Sequence, residues 1–116
     1  MKHFKESEFN HFDKMHPDLL TKLDELRELY GEPIIITSDY RGPEHPIEAA
    51  KPNGPGVHSF GVAVDIASVG GPTTLELVRA AIGVGFERIG ISRKNNFIHI
   101  DIADKTHHRT KSIWVY

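Results

Sequence analysis

The segment FIHIDI at residues 97–102 constrains the fold more than any other part of the chain. Isoleucine occupies every second position, and the positions between hold Phe97, His99 and Asp101. Because side chains alternate between the two faces of a β-strand, the isoleucine face belongs in a core, and the other face carries an imidazole beside a carboxylate. Such a strand requires a sheet that is covered on one side and open on the other.

Two segments predict helices that can cover the apolar face. The first, residues 17–30, has leucines at helical spacing between an initial proline and a terminal glycine. The second, residues 72–82, begins at a proline with a Thr73 and Glu76 capping box and is stopped by glycines. Strands are predicted at 34–36, 62–66, 89–91, 97–102 and 113–115. We therefore predict an α+β fold with a small antiparallel sheet and two main helices packed on one side.

Length and composition indicate one domain, residues 1–116, without a large charged surface. The chain has 14 basic and 16 acidic residues, a net charge of -2, and no cysteine. A nearly balanced charge gives no reason to expect nucleic acid as a partner. No apolar run approaches the roughly 18 residues of a membrane span, so we expect no membrane insertion. The first residues, MKHFKESEF, lack the apolar stretch of a signal peptide, and we expect a protein that is cytoplasmic as synthesised.

Asp65 stands inside an apolar strand, in the segment GVHSFGVAVDIAS. A buried ionised carboxylate is costly unless it is paired or coordinates a cation. With His58, His99 and Asp101 it offers the nitrogen and oxygen donors that Zn²⁺ takes in catalytic sites. The residues also allow simpler interpretations, because Asp65 could hold a turn, either histidine could be a hydrogen-bonded core residue, and His99 with Asp101 could form an exposed pair. Spacing alone leaves these alternatives open.

Three motifs together resemble one enzyme family. They are SDYR at 38–41, HSFGVAVDI at 58–66 and FIHID at 97–101, and their order and separations resemble the zinc D-Ala-D-Ala carboxypeptidase family. That family belongs to a group of murein metallopeptidases that includes D-alanyl-D-alanine dipeptidases, lysostaphin-type enzymes and the hedgehog signalling domain. The resemblance covers nearly the whole chain, and the SEF segment before the first helix is similar to the compact phage- or prophage-encoded branch.

The resemblance implies a role for individual residues. His58, Asp65 and His99 match the zinc ligands, which would place a zinc site on the open sheet face. Gly61 matches a small residue that lets the turn close around the metal. Arg41, which ends the SDYR motif, matches an arginine that faces the substrate carbonyl or carboxylate, where a fixed charge stabilises the oxyanion of a tetrahedral intermediate.

The sequence also departs from the family pattern. Asn96 stands where several relatives carry an acidic residue three positions before the last histidine ligand, and an amide cannot act as a general base. Asp101 is the nearest alternative base, although the equivalent residue in relatives more plausibly orients a ligand. Gly56 replaces a serine, so a hydrogen bond to substrate is expected to be missing. Histidines 45, 107 and 108 are further candidate proton carriers.

The function implied by the resemblance is a zinc metallopeptidase, either D-Ala-D-Ala carboxypeptidase-like or a murein endopeptidase. It would hydrolyse peptidoglycan stem peptides, at a bond involving a D-amino acid, by metal-activated water. The alternatives are a non-catalytic zinc-binding module of the hedgehog-like type and a phage structural domain. Without a signal peptide, the protein is expected to act on the cell wall after release or as part of a phage-type particle.

Overall fold

A computed structural model describes residues 1–52, 54 and 56–116 and contains one five-stranded sheet with three helices. The strands are β1 (Ile36–Ser38), β2 (Ala63–Ala67), β3 (Arg88–Ser92), β4 (Phe97–Asp101) and β5 (Ser112–Val115). The helices are α1 (Pro17–Tyr30), α2 (Pro46–Ala49) and α3 (Gly71–Gly83). The predicted α+β class and both main helices are confirmed.

The strands are ordered β1-β2-β4-β3-β5 across the sheet. The first four strands pair antiparallel, as predicted, whereas β5 pairs parallel to β3. The difference follows from the connections. The β3–β4 hairpin returns the chain to the start of β3, where Asp101 pairs with Arg88, and the connection after β4 then places Ser112 beside the same residue, Arg88.

The two long helices cover one face of the sheet. Their leucines and alanines share a core with the alternate strand residues that point toward them. The members of this core include Leu19, Leu23, Leu26, Val64, Ile66, Leu77, Ala81, Ile98 and Ile100. Each of these side chains is almost completely removed from water, so this face supplies most of the hydrophobic stabilisation.

The ends of the two long helices show which of the capping residues predicted from the sequence are used. Helix α1 begins after His16, whose Nδ1 accepts a hydrogen bond from the Asp18 N–H at 3.0 Å, and it ends at Gly31. The predicted capping box at the start of α3 is wrong, because this helix begins at Gly71. Its first turn is held by the Thr74 hydroxyl, which donates to the Gly70 carbonyl at 2.8 Å.

Residues 42–56, between β1 and β2, are rich in turn-forming residues and have no helical or strand periodicity, which predicts a long surface loop. Most of it is irregular, but it contains the single turn of α2, whose Glu48 is buried. Two positions of this predicted loop, 53 and 55, lie outside the described residues. Across the part of the chain that the structure describes, no helix has both the length and the apolar character to cross a membrane.

Candidate metal centre

Three buried side chains converge on the sheet face opposite the helices. Asp65 on β2 and His99 on β4 are paired neighbours in the sheet, and His58 lies in the 3-10 turn Val57–Phe60 that precedes β2. Asp65 Oδ1 lies 3.3 Å from His58 Nε2 and 3.1 Å from His99 Nδ1. One ligand atom from each residue falls within 4.8 Å of the others. The structure therefore brings the three sequence-predicted metal ligands together.

Gly61 allows the turn that carries His58 to pack closely. Its φ of 71° lies in the left-handed region, and a Cβ there would stand 2.2 Å from the Lys14 carbonyl oxygen. The Gly61 carbonyl in turn accepts a hydrogen bond from the His16 N–H at 2.8 Å. Glycine is thus required at this position both for the backbone conformation and for the space.

The ring of His58 is oriented by the segment that follows β1. Its Nδ1 donates to the Asp39 carbonyl oxygen at 2.7 Å, and its Nε2 faces Asp65. The Asp39 side chain is itself fixed, since its carboxylate accepts the His11 N–H at 2.8 Å. A hydrogen bond of this kind from the second ring nitrogen is typical of metal-binding histidines.

Asp101 orients the ring of His99 in the same way. Its Oδ2 accepts the His99 Nε2 proton at 2.6 Å, so that His99 Nδ1 faces Asp65. Its Oδ1 accepts hydrogen bonds from Arg88 Nε at 2.8 Å and from the Ala103 N–H at 3.0 Å. Asp101 therefore lies behind His99, on the side of the ring away from Asp65, with both oxygens engaged.

The electrostatics of the cluster suit a cation. Burial alone would raise the pKa of Asp65, but hydrogen bonds and charges from His58 and His99 outweigh it and lower that pKa to about 2. Burial would likewise lower the pKa of His99, whereas Asp101 and Asp65 together raise it. Asp65 therefore stays ionised beside the two imidazoles, and this set of one oxygen and two nitrogen donors fits Zn²⁺.

Strand β5 places an aromatic side chain beside the candidate metal ligands. Gly90 on β3 pairs with His99 on one side and with Trp114 on the other, so these residues form one row across the sheet. The Trp114 ring lies 5.4 Å from the His99 ring and 5.0 Å from the Arg88 guanidinium carbon. A Cβ at position 90 would stand 2.5 Å from Trp114 Nε1, so glycine lets the indole lie over β3.

An open cleft of about 350 Å³ gives access to the cluster. Arg41 lines it, with its Nε on Glu48 Oε2 at 3.0 Å and its Nη1 on the Ser38 hydroxyl at 3.3 Å. His58, Asp65 and His99 line the same cleft. The sequence-predicted arginine and the three predicted metal ligands therefore border one cavity.

The other predicted histidines do not reach this cluster. His45 caps α2, where its Nδ1 accepts the Ile47 N–H at 3.2 Å. The ring of His107 lies 5.3 Å from that of Phe60, and His108 is exposed. These three residues are absent from the lining of the cleft within the described part of the chain.

Asn96 lies in the turn between β3 and β4. Its φ of 54° is in the left-handed region, which asparagine tolerates better than most residues. Its carbonyl oxygen accepts the Ser68 N–H at 2.8 Å. The position at which relatives carry an acid is therefore occupied here by an exposed turn residue.

Sequence reasoning missed three residues around the cluster: Glu48, Arg88 and Trp114. Arg88 and Trp114 are aligned with the site only by strand register, which the sequence does not reveal. Glu48 gave no clear signal, because an acid between two prolines of a predicted surface loop is expected to be exposed.

Comparison with known proteins identifies the family of the chain. The family model described as Peptidase M15 matches residues 2–101, which include Arg41, Asp101 and the three clustered side chains. Trp114 and the rest of β5 lie beyond the matched range. No curated protein and no solved structure is significantly similar to the chain. Members of the matched family are typically zinc-dependent peptidases, and the chain belongs to the peptidase M15 family.

Proposed function

We propose that this protein is a zinc-dependent peptidase that hydrolyses peptidoglycan stem peptides at a bond involving a D-amino acid. The observation that carries the proposal is the convergence of His58, Asp65 and His99, each buried and each with one ligand atom within 4.8 Å of the others. Family membership supports the metallopeptidase class. The peptidoglycan substrate rests on the resemblance to murein peptidases.

His58 Nε2, Asp65 and His99 Nδ1 would hold the metal. When bound there, zinc would supply a Lewis acid that activates water and polarises the scissile carbonyl at neutral pH. The contribution of the chain is to fix the three ligands beforehand. Hydrogen bonds to Asp39 and Asp101 set the tautomer of each imidazole, so little reorganisation accompanies metal binding.

Arg41 is proposed to stabilise negative charge on the substrate oxygen. Its guanidinium is oriented by Glu48 and Ser38 and borders the cleft beside His58. A fixed charge in a partly desolvated site is worth several kcal/mol to a tetrahedral oxyanion.

Asp101 is proposed as a positioning residue and not as the general base. Both of its oxygens already accept hydrogen bonds, from His99, Arg88 and the Ala103 backbone. A general base must lie within hydrogen-bond reach of the attacking water, and Asp101 is separated from the ligand cluster by the imidazole that it orients.

One observation favours a second candidate, a zinc-binding module without catalysis. Asn96 occupies the position at which several relatives carry an acid, and it forms a turn. Metal binding would then serve stability or partner binding.

A digest of purified muropeptides tests the proposal. Zinc-loaded protein is incubated with the muropeptides beside a chelator-treated sample, and the products are identified by mass spectrometry. We expect new fragments that disappear with the chelator, and their masses would identify the bond. We expect no turnover from His58→Ala or His99→Ala, whereas His45→Ala, outside the cleft, should retain it. Zinc-loaded protein that produces no fragments would favour the binding module.

The proposal includes a route by which the protein reaches the peptidoglycan. The protein would act on the cell wall after release from the cell or as part of a phage-type particle. Cells that make the protein should release peptidoglycan fragments after lysis but not before it, and this result would support the route.

A further inference from the structure

The cleft above the candidate metal centre carries an excess of positive charge. Its lining includes four basic side chains, contributed by Arg41, Lys51, Arg88 and Arg109. Among the described residues of the lining, the one acidic residue is Asp65, which belongs to the candidate metal cluster. Arg41 has its proposed role at the substrate oxygen, and Arg88 is the partner of Asp101. Lys51 and Arg109 have no role in that chemistry.

Lys51 and Arg41 share a single carboxylate. Glu48 Oε1 and Oε2 each lie 3.1 Å from Lys51 Nζ, and Oε2 also accepts from Arg41 Nε at 3.0 Å. The Glu48 side chain is completely buried, whereas the Lys51 side chain is 38% exposed. One buried acid therefore orients two cations toward the cleft and neutralises only one of them.

Gly56 creates the space for this arrangement. Its N–H donates to Glu48 Oε1 at 2.6 Å. A Cβ at this position would stand 2.5 Å from Lys51 Nζ and 3.2 Å from Glu48 Oε1. Glycine at this position thus admits the lysine ammonium beside the turn that carries His58.

Arg109 stands on the opposite wall. Its Nη1 donates to the carbonyl oxygens of His107 at 3.0 Å and His108 at 3.3 Å, which fixes the guanidinium. Within the described residues, no carboxylate lies at ion-pair distance from it. By contrast, Arg88 is neutralised by Asp101 at 2.8 Å.

The sheet separates Lys51 from Arg109. Lys51 belongs to the connection that follows β1, at one edge of the sheet, and Arg109 precedes β5, at the other edge. The ligands Asp65 and His99 lie on the strands between these edges. A peptide that crosses the metal position would therefore meet one cation on each side.

We propose that the cleft selects an acidic peptide, with Lys51 and Arg109 each binding a carboxylate on opposite sides of the scissile bond. This inference rests on the proposed peptidase function and names the chemistry of its substrate. A guanidinium and an ammonium that are already held in place lose little freedom on binding an anion, and charge-assisted hydrogen bonds are the strongest that a carboxylate can form. The charge of the cleft also steers acidic ligands toward the metal.

Peptides that differ only in charge test the proposal. A stem peptide with a free carboxylate on each side of the cleavable bond is compared with two analogues, each carrying a carboxamide in place of one carboxylate. Binding to the full-length metal-free protein is measured by calorimetry, and kcat and KM are measured with zinc. We expect each carboxamide to weaken binding about tenfold or more and to act mainly on KM.

Charge-removing variants assign each carboxylate to a wall. Lys51→Gln should abolish the discrimination against one carboxamide analogue, and Arg109→Gln should abolish it against the other. Lys51→Arg and Arg109→Lys should retain most of it, provided that circular dichroism shows a folded protein. Lys94→Gln and Arg79→Gln, which remove the same charges outside the cleft, should leave both preferences unchanged.

The outcomes separate this inference from the proposed function. Equal binding of the acid and both carboxamides would overturn the inference. It would also be overturned if Lys94→Gln and Arg79→Gln lost the carboxylate preference as much as Lys51→Gln and Arg109→Gln do. Turnover without a carboxylate preference would leave the peptidase proposal standing and refute the selectivity. A carboxylate preference without turnover would support the cleft chemistry and refute the peptidase.

Discussion

Both faces of β2 and β4 are largely buried, but different interactions stabilise them. On the helix side, Val64, Ile66, Ile98 and Ile100 are completely buried among other apolar side chains. On the other side, His99 and Asp101 are at most 3% exposed, and directed hydrogen bonds and ion pairs join their side chains to Asp65 and Arg88.

The helix face therefore mainly stabilises the fold, whereas the other face mainly positions the candidate metal ligands. Hydrophobic burial is proportional to area and has no preferred direction, so the helix face tolerates small rearrangements. A polar network is strong only when every donor and acceptor is matched, and a single missing partner leaves a buried charge. We therefore expect substitutions on the helix face to change the free energy of unfolding, and substitutions on the site face to change metal affinity.

The largest effect on stability is expected at the centre of the helix face. Ile100→Ala removes a completely buried side chain and should lower the free energy of unfolding by about 2–5 kcal/mol. Denaturant unfolding measures this loss, and Ile113→Ala, at a side chain that is 59% exposed, is the matched control. The folded fraction of Ile100→Ala should still bind zinc. Loss of zinc binding from folded protein would show that the two faces are not separable.

On the site face, the next effect is expected at Asp101. Asp101→Asn removes the charge that orients His99 and pairs with Arg88, and should weaken zinc binding about 10- to 100-fold. Competition with a chelator measures the affinity, and Asp104→Asn, at an exposed carboxylate nearby, is the control. Unchanged zinc affinity with lost turnover would instead indicate that Asp101 is the general base.

The metal-free protein should become less stable in acid because of Asp65. Its pKa is lowered from 3.8 to about 2 in the folded protein, so its contribution is complete above pH 3.8 and is lost as the pH falls toward 2. The shift corresponds to about 2 kcal/mol at most. Unfolding measured from pH 5 to pH 2 should show a steeper decline for the unmodified protein than for Asp65→Asn. Parallel curves would mean that Asp65 has no favourable interaction without metal.

The sequence was sufficient to predict the helix face and the convergence of His58, Asp65 and His99, the candidate ligand trio. Leucines at helical spacing and isoleucines at strand spacing determine which side of each element is buried, and this depends on local periodicity alone. The trio was recognisable because a carboxylate in an apolar strand needs a partner, and because the three motifs resembled a family. The partners of these ligands were not recognisable. Arg88 reaches Asp101, and Trp114 reaches His99, through the pairing of β3 with β4 and β5. Register between distant strands is a property of the whole sheet.

The smallest expected effect concerns the row that joins both kinds of contact, at Gly90. Gly90→Ala places a methyl group where the Trp114 indole now lies, and this crowding should cost about 1 kcal/mol of stability. Trp114 is the chain's single tryptophan, so its fluorescence reports directly on this row. We expect an altered emission spectrum and weaker zinc binding, whereas Gly71→Ala, which meets only an ordinary contact with Arg93, should change neither.

The outcome at Gly90 decides how far the site face extends. If the indole moves and zinc affinity falls, Trp114 holds His99 in place, and β5 is part of the metal site although it lies beyond the family match. If the spectrum changes while zinc affinity does not, Asp101 alone orients His99 and Trp114 only borders the cleft. In that case directed hydrogen bonds position the ligands of the site face, and aromatic packing on the same face acts, like the helix face, through burial.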